Sequence, residues 1–264
     1  MKKEILESAK DALTGGVLDN KVQDGHFLQV IENKEVTQVE AYIDLPISEI
    51  HALDNREFLT PNVTWRDSVK GLKCEGWDDV ADQVREYFTS ELYEKLFPTP
   101  GAQRPLTMGF TGGAPHCLFG NHRLSAGKAL LAKTSEDSKL YKVKCLYRPV
   151  KEAIKSVLEE CLKNGDTLKY YHLPVDNCTG RYKFFYDEGY RNFLRVDSVN
   201  QKTKIYVFGE YFDCFKVQYT FPFLPRIFKS DMYSLCKRLS FRTIPNYLIE
   251  QILDETKFGA EFNM

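Results

Sequence analysis

The order of apolar and polar runs between residues 105 and 148 constrains the fold of this chain most. Two short strand-like runs, PLTMGF and HCLF, are separated by a Gly-Gly turn, and the helix-like run NHRLSAGKALLAK and the strand-like run LYKVKCLYRP follow them. The helical run is apolar on most of its circumference, so we expect it to pack deeply against a sheet. This order predicts an α+β domain in which the first turn of the helix opens into a cleft.

The composition allows a folded core and argues against an overall nucleic-acid-binding charge. Of the 264 residues, 43% are hydrophobic and 28% are charged, which is enough apolar material for one or two globular domains. Lys plus Arg (36) nearly balance Asp plus Glu (37), so the chain lacks the positive field that drives non-specific binding to DNA or RNA. Any such contact would need a local patch.

Cysteine usage and hydropathy suggest the compartment. The seven cysteines occur singly without a CxxC pair, which predicts reduced thiols in the core and no zinc site. No apolar run reaches the roughly 18 to 20 residues of a membrane span, and the start, MKKEILESAKDAL, is typical of a polar helix rather than of a signal peptide. We therefore expect a cytoplasmic protein with no membrane contact.

The remaining patterns predict a first domain over residues 1–149. An amphipathic helix lies within residues 1–20, and the alternating stretch HFLQVIENKEVTQVEAYIDLP predicts a hairpin of two strands that turns at 32–34. The apolar spacing from Trp77 to Phe97 predicts a helix that is closed by the following prolines.

A second, β-rich domain is predicted over residues 150–264. It begins with a charged helix over 150–163, continues with four strand-like runs, and closes with helices over 231–239 and 245–256. The aromatic and basic run from Lys169 to Arg191 could stack nucleic-acid bases, but alternating aromatic residues in strands more often pack in a core.

The segment Gly120-Asn121-His122-Arg123 is the predicted working site. A helix leaves its first backbone N–H groups without partners, and its dipole places partial positive charge there, so an anion is stabilised at that end. Gly120 permits close approach of a ligand, and Asn121 is a good N-cap residue. His122 and Arg123 are cations in a turn where the dipole disfavours cations, which requires an explanation.

A bound phosphate would explain these two cations. Arg123 could grip two oxygens, His122 could donate a hydrogen bond or a proton, and Ser125 could add a donor, with Lys128 one turn further along. The alternative is purely structural: Arg123 pairs with a carboxylate such as Asp54, and His122 is a histidine satisfied in the core.

Two segments give the chain a resemblance to a known superfamily. LPISEIHALDNREF resembles the first box of the ParB/sulfiredoxin-like superfamily, in which a short apolar segment leads to a polar loop. PLTMGF, HCLFGNHRLSAGKALL and LYKVKCLYRP resemble the second box, a strand followed by a G-x-x-R-x-x-A turn, a helix and a closing strand. The resemblance covers residues of about 42–148 and implies a ParB/sulfiredoxin-like α/β domain.

The resemblance implies a nucleotide ligand, because members of this superfamily bind nucleotide phosphates at that turn. The free-serine kinases of the superfamily carry a carboxylate in the first-box loop, so likeness to them implies Asp54 as general base, with Arg56 as a second phosphate contact. The sulfiredoxin activity is not expected, since Asn121 stands where those enzymes place their reactive cysteine. Free-serine kinases are closer, although their turn begins with an acidic residue and this chain has Phe119.

A segregation CTPase is not expected either, since such proteins follow the second box with a helix-turn-helix region and this chain continues with β-rich sequence. The resemblance thus implies an enzyme, a kinase or nucleotide hydrolase that uses ATP, ADP or CTP with Mg²⁺, and by analogy a phage-like accessory protein tied to DNA metabolism or modification. Asp54 and His122 would be catalytic. The alternative is a non-catalytic DNA- or RNA-binding module in which the same turn holds a backbone phosphate.

Overall fold

The structure is a computed structural model, and the residues that it describes are 1–54, 62–173, 190–200, 202–209, 215–216 and 239–262. Contacts divide the chain into two units. Unit 1 comprises Met1–Gln29, Glu35–Pro149 and Asp254–Met264, and unit 2 comprises Val30–Lys34 and Val150–Leu253. The predicted domain 150–264 differs from this division at its end, because residues 254–262 belong to the first unit, where Phe258 and Phe262 lie against Phe110.

Unit 1 contains both helices and strands, and an α+β class is observed. The helices are α1 (Lys2–Asp11), α2 (Gly25–Ile31), α3 (Trp65–Ser68), α4 (Ala81–Thr89) and α5 (Asn121–Thr134), with 3-10 turns at Ile47–Glu49, Val69–Gly71, Asp78–Val80 and Gly259–Phe262. The strands are β1 (Gln23–Asp24), β2 (Val39–Pro46), β3 (Ala52–Leu53), β4 (Thr107–Thr111), β5 (Ala114–Phe119) and β6 (Lys139–Arg148).

These strands form one mixed sheet in the order β1-β3-β5-β4-β6-β2. β4 and β5 are an antiparallel hairpin, whereas β3 runs parallel to β5 and β4 runs parallel to β6. Helix α5 connects β5 to β6 and contacts α1, α3 and α4. The predicted order strand, strand, helix, strand between residues 105 and 148 is confirmed, and α5 is buried over most of its middle part.

The predicted hairpin around residues 32–34 is wrong in its first strand. Residues 25–31 form helix α2, and β2 begins only at Val39. Phe27 and Leu28 are fully buried. Gly25 lies against the sheet so closely that a Cβ there would stand 2.9 Å from the Leu53 carbonyl oxygen, so the chain enters the helix at a position fixed by a distant strand.

The predicted helix from Trp77 to Phe97 is shorter in the structure. Helix α4 ends at Thr89, and Ser90 is extended, with φ −113° and ψ 174°. The chain then folds back, so that the rings of Trp77 and Phe97 pack with centroids 4.7 Å apart. The apolar spacing beyond residue 89 therefore reflects tertiary packing and not a helical face.

Unit 2 combines a sheet with two helices in its described part. Helix α6 spans Glu152–Asn164, and helix α7 spans Asn246–Leu253. The strands are β7 (Thr167–His172), β8 (Tyr190–Asp197), β9 (Thr203–Gly209), β10 (Phe215–Lys216) and β11 (Arg242–Ile244), all antiparallel, in the order β10-β9-β8-β7-β11. The predicted helices over 150–163 and 245–256 are confirmed, whereas the one over 231–239 lies almost wholly outside the described residues.

The described part of the aromatic and basic run is engaged in packing. Tyr170 is 1% exposed and its hydroxyl donates to Asn192 Oδ1 at 2.8 Å. Lys169 Nζ lies 2.8 Å from Asp197 Oδ2. These contacts favour the structural interpretation for β7; residues 181–189 lie outside the described part. Over the part of the chain that the structure describes, no helix has the length and apolar character needed to cross a membrane.

A packing contact between α4 and α5 gives a first testable prediction. A Cβ at Gly127 would stand 2.5 Å from Cδ1 of Phe88, which is itself 1% exposed. Gly127→Ala should gain about 1 kcal/mol of helix propensity, but overpacking should cost about 2 to 3 kcal/mol. We expect the free energy of unfolding in urea to fall by about 1 to 2 kcal/mol. The same substitution in a Phe88→Leu background should cost less; equal costs in both backgrounds would contradict this contact.

Candidate functional site

The predicted strand-turn-helix is present where β5, an inner strand of the unit 1 sheet, ends. β5 ends at Phe119, Gly120 takes the left-handed conformation with φ 101° and ψ 35°, and α5 begins at Asn121. The Leu124 amide donates to the Gly120 carbonyl at 2.8 Å and closes the first turn. That turn contains no acidic residue. We call Gly120–Arg123 the phosphate turn, after the ligand that its sequence predicts.

Gly120 is required by its surroundings as well as by its backbone angles. A Cβ at this position would stand 2.9 Å from Leu106 Cδ1 and 3.0 Å from Arg123 Nε. A residue with a side chain would therefore be strained and would also push against the arginine. The glycine lets the Arg123 side chain fold back over the turn.

The segment that resembles the first box of the superfamily meets the segment that resembles the second box at this turn. β3 pairs in parallel with β5, with Leu53 opposite Cys117. The following residue, Asp54, donates its backbone N–H to Asn121 Oδ1 at 3.0 Å. The prediction that Asn121 caps the helix is corrected, because Gly120 occupies the N-cap position and the Asn121 side chain binds the distant Asp54 amide instead.

Asp54 and Arg123 both act electrostatically on Cys117. Burial raises the pKa of the Cys117 thiol, the positive charge of Arg123 opposes this rise, and the negative charge of Asp54 adds to it. A carboxylate and a guanidinium therefore both act on one buried thiol. The structure thus brings together two of the residues that the sequence placed at the site.

Arg123 is held by groups that sequence reasoning missed. Its Nη1 donates to the carbonyl oxygen of Arg104 at 2.8 Å, and its Cζ lies 5.6 Å from the ring centroid of Phe97. Burial raises the pKa of Tyr87, and the positive charge of the Arg123 guanidinium opposes the rise. A guanidinium has five N–H donors, so these partners orient Arg123 without using its full capacity.

Arg104 and Phe119 flank the same turn. Phe119 is 41% exposed, and Arg104 Cζ lies 4.8 Å from its ring centroid. The register of the hairpin, in which Thr107 pairs with Phe119, places the residues before β4 beside those after β5. Arg104 could have been predicted as a residue beside the turn from this hairpin register.

His122 lies at the rim of the site. It is neither exposed nor fully buried, and its Nδ1 accepts a weak hydrogen bond from the Lys73 backbone N–H at 3.4 Å. His122 is therefore not a fully buried core histidine, which the structural alternative had predicted.

Two residues predicted as outer phosphate contacts are buried instead. Ser125 is 1% exposed, and its Oγ has no hydrogen-bond partner among the described residues. Lys128 is 0% exposed; its Nζ donates to the Ile50 carbonyl at 2.5 Å and lies 4.1 Å from the Trp65 ring centroid. Burial lowers the pKa of Lys128 to about 7. Position 128 is nearly two turns into α5, which places its side chain in the core and corrects the prediction.

Arg56, the remaining predicted phosphate contact, lies outside the described residues. Among the described residues there is no group of three or more His, Cys, Asp and Glu side chains that could hold a metal ion. Mg²⁺ in nucleotide sites is commonly held by one or two carboxylates together with the phosphates, and Asp54 beside the phosphate turn fits that donor set. Comparisons with protein-family models, curated proteins and solved structures find no match to this chain.

Proposed function

We propose that unit 1 binds the phosphate groups of a nucleotide at the phosphate turn and transfers or hydrolyses a phosphate there. The observation that carries this proposal is the start of α5: a left-handed Gly120 followed by His122 and Arg123 in a first turn that has no acidic residue. The guanidinium of Arg123 is unfavourable at the positive end of a helix, and an anion bound beside it would remove this cost.

The surroundings of the turn supply the other groups that phosphate chemistry needs. Arg123 is oriented by the Arg104 carbonyl and can present further donors to phosphate oxygens. Asp54, held at the turn through its backbone, would act as general base or as a carboxylate ligand of Mg²⁺, and His122 would donate a hydrogen bond or a proton. The nucleotide would be ATP, ADP or CTP, and the bound metal would neutralise its phosphates.

The meeting of the two segments that resemble the ParB/sulfiredoxin-like superfamily supports a domain of this type. The first segment ends at Asp54 and the second turns at Gly120, and the Asp54–Asn121 hydrogen bond joins them. We propose on this ground a phosphotransferase or nucleotide hydrolase that acts in a cytoplasm and is tied to DNA metabolism or modification. A module that holds a nucleic-acid backbone phosphate at the same turn is the alternative that the experiment below distinguishes.

Arg123→Ala should weaken nucleotide binding by about 1.5 to 3 kcal/mol, because it removes charge-assisted hydrogen bonds to phosphate. The measurement is a thermal-shift series with ATP, ADP, CTP, GTP and a short DNA, each with and without Mg²⁺, since a ligand of the native state raises the melting temperature. Lys139→Ala, a change at an exposed lysine of β6, is the control and should leave the shifts unchanged.

Each outcome of this series decides between the two functions. A nucleotide shift that is lost in Arg123→Ala supports the proposed function and selects the nucleotide for a turnover assay. Stabilisation by DNA alone, with a steep loss of affinity as salt rises, supports the nucleic-acid module instead, since counterion release makes such binding salt-dependent. A nucleotide shift that survives in the folded Arg123→Ala protein contradicts the site.

A further inference from the structure

Helix α5 carries a stripe of polar side chains, and the other buried residues of the helix are mostly apolar. Asn121, Ser125 and Lys128 are spaced by four and three residues, so they lie on one face of the helix. Ser125 and Lys128 are buried. Polar groups in such positions cost free energy unless they are bonded, so the stripe requires a structural or functional reason.

The lysine of this stripe binds a backbone group and not a carboxylate. Lys128 Nζ donates to the Ile50 carbonyl oxygen at 2.5 Å and stands over the Trp65 ring. Over the described residues, no ion pair joins Lys128 to an acidic side chain. Burying an ammonium group costs desolvation free energy that one backbone acceptor and one aromatic ring do not fully offset. Methionine would fill the same space with no charge.

Asn121, at the other end of the stripe, binds the same stretch of chain. Its Oδ1 accepts from the Asp54 amide at 3.0 Å. Between these two contacts, Ala52 and Leu53 pair with β5. The segment 50–54, which we call the Asp54 segment, is therefore fixed by β5 at Ala52 and Leu53 and by α5 at both ends.

We infer that Asn121 and Lys128 form a two-point clamp that holds the Asp54 segment against α5 and so positions Asp54 beside the phosphate turn. Asn121 and Lys128 are positioning residues in this account, and Asp54 is the group that they position. The clamp itself is independent of the ligand, whereas the role of Asp54 in phosphate chemistry rests on the proposed function.

Amide hydrogen exchange of the Asp54 segment tests the clamp without any ligand. In Asn121→Leu, the Asp54 amide should exchange at least about fivefold faster, because one hydrogen bond is removed from its protection. Asn121→Asp keeps the acceptor oxygen and should restore slow exchange. In Lys128→Met the amides of the whole segment should exchange faster, while Ser125→Ala, in the same stripe but without a hydrogen bond, should leave their exchange unchanged.

Unchanged exchange of the segment in both folded variants, Asn121→Leu and Lys128→Met, would overturn the clamp. Faster exchange throughout α5 and the sheet, rather than in the segment alone, would show a general loss of packing and would also overturn it. Should Lys128→Met not fold, the pair Asn121→Leu and Asn121→Asp decides the question alone, because both side chains are close to asparagine in size.

Binding and turnover of ATP with Mg²⁺ form a second and separate readout. Loosening the clamp should lower the turnover rate of Lys128→Met at least about tenfold and change the dissociation constant less than about threefold, because the phosphate turn is intact. A wild type that binds no nucleotide would remove the proposed function and leave the exchange result standing. Normal turnover in a variant whose segment exchanges fast would show that positioning of Asp54 does not matter for the reaction.

Discussion

A Lys128→Met variant is expected to lose stability relative to the wild type as the pH rises from about 7 to about 10. Lys128 is 0% exposed, and burial lowers the pKa of its ammonium to about 7. In the unfolded chain the pKa of a lysine is about 10.4. The free energy of unfolding of the wild type therefore contains a part that depends on pH in this window, and methionine removes that part.

The sign follows from the number of protons that each state binds. Between about pH 7 and pH 10 the unfolded lysine holds a proton that the folded lysine lacks, so raising the pH favours the folded wild type. Below this window both states are protonated, and the folded state bears the full cost of a buried ammonium. One pH unit is worth up to about 1.4 kcal/mol, so the stability difference should change by about 3 to 4 kcal/mol.

Urea unfolding of both proteins at several pH values measures this difference. Burial raises the pKa of Cys117 and Cys145, and these thiols oppose the trend at high pH, but they are present in both proteins and cancel. Burial and the Lys128 charge lower the pKa of His51 to about 4, so His51 titrates below the window. Lys139→Met, at an exposed position, is the control. A difference that does not change with pH would show that Lys128 is charged in the folded state throughout.

The local part of the site could be predicted from the sequence. An apolar strand, a glycine, polar residues and an apolar helix are neighbours in the chain, and the backbone of that arrangement follows from short-range rules for glycine and helix starts. The left-handed Gly120 and the start of α5 at Asn121 are of this kind. The prediction that the helix packs deeply also needed only the distribution of its own apolar side chains.

The partners of the site side chains could not be predicted, because they come from distant parts of the chain. The Lys128–Ile50 contact spans 78 residues and the Asn121–Asp54 contact spans 67 residues. A lysine in an apolar helix looks like a surface residue or a phosphate ligand until the element packed against it is known. The same limit explains α2: a short apolar run fits both a strand and a helix, and the close approach of Gly25 to Leu53 decides the outcome.

In unit 1 the candidate site and the hydrophobic core share one element, helix α5. Helix α5 presents its first turn as the phosphate turn and its buried face to the Asp54 segment. A substitution at a buried position of α5 should therefore alter the site even though the substituted side chain does not contact a ligand. It follows that global stability and local order can move in opposite directions, as we expect for Lys128→Met below about pH 7, where removal of the buried charge stabilises the fold and removal of the hydrogen bond loosens the segment.

Gly120→Ala is expected to lower the free energy of unfolding by about 2 to 4 kcal/mol and to weaken nucleotide binding in the protein that remains folded. The backbone at φ 101° is unfavourable for any residue with a Cβ, which accounts for about 1 to 2 kcal/mol. The remainder comes from the contacts of the new methyl group, 2.9 Å from Leu106 Cδ1 and 3.0 Å from Arg123 Nε, because a displaced Arg123 would leave its partner, the Arg104 carbonyl.

Gly101→Ala separates these two causes. Gly101 has φ 85°, and a Cβ at this position would meet no atom within 4 Å beyond its chain neighbours, so alanine there should show the backbone strain alone. The excess loss of stability in Gly120→Ala over Gly101→Ala then measures the contact with Leu106 and Arg123. Equal losses in the two variants, with nucleotide binding intact in both, would mean that Arg123 moves away freely and that its position over Gly120 is not needed for the phosphate turn.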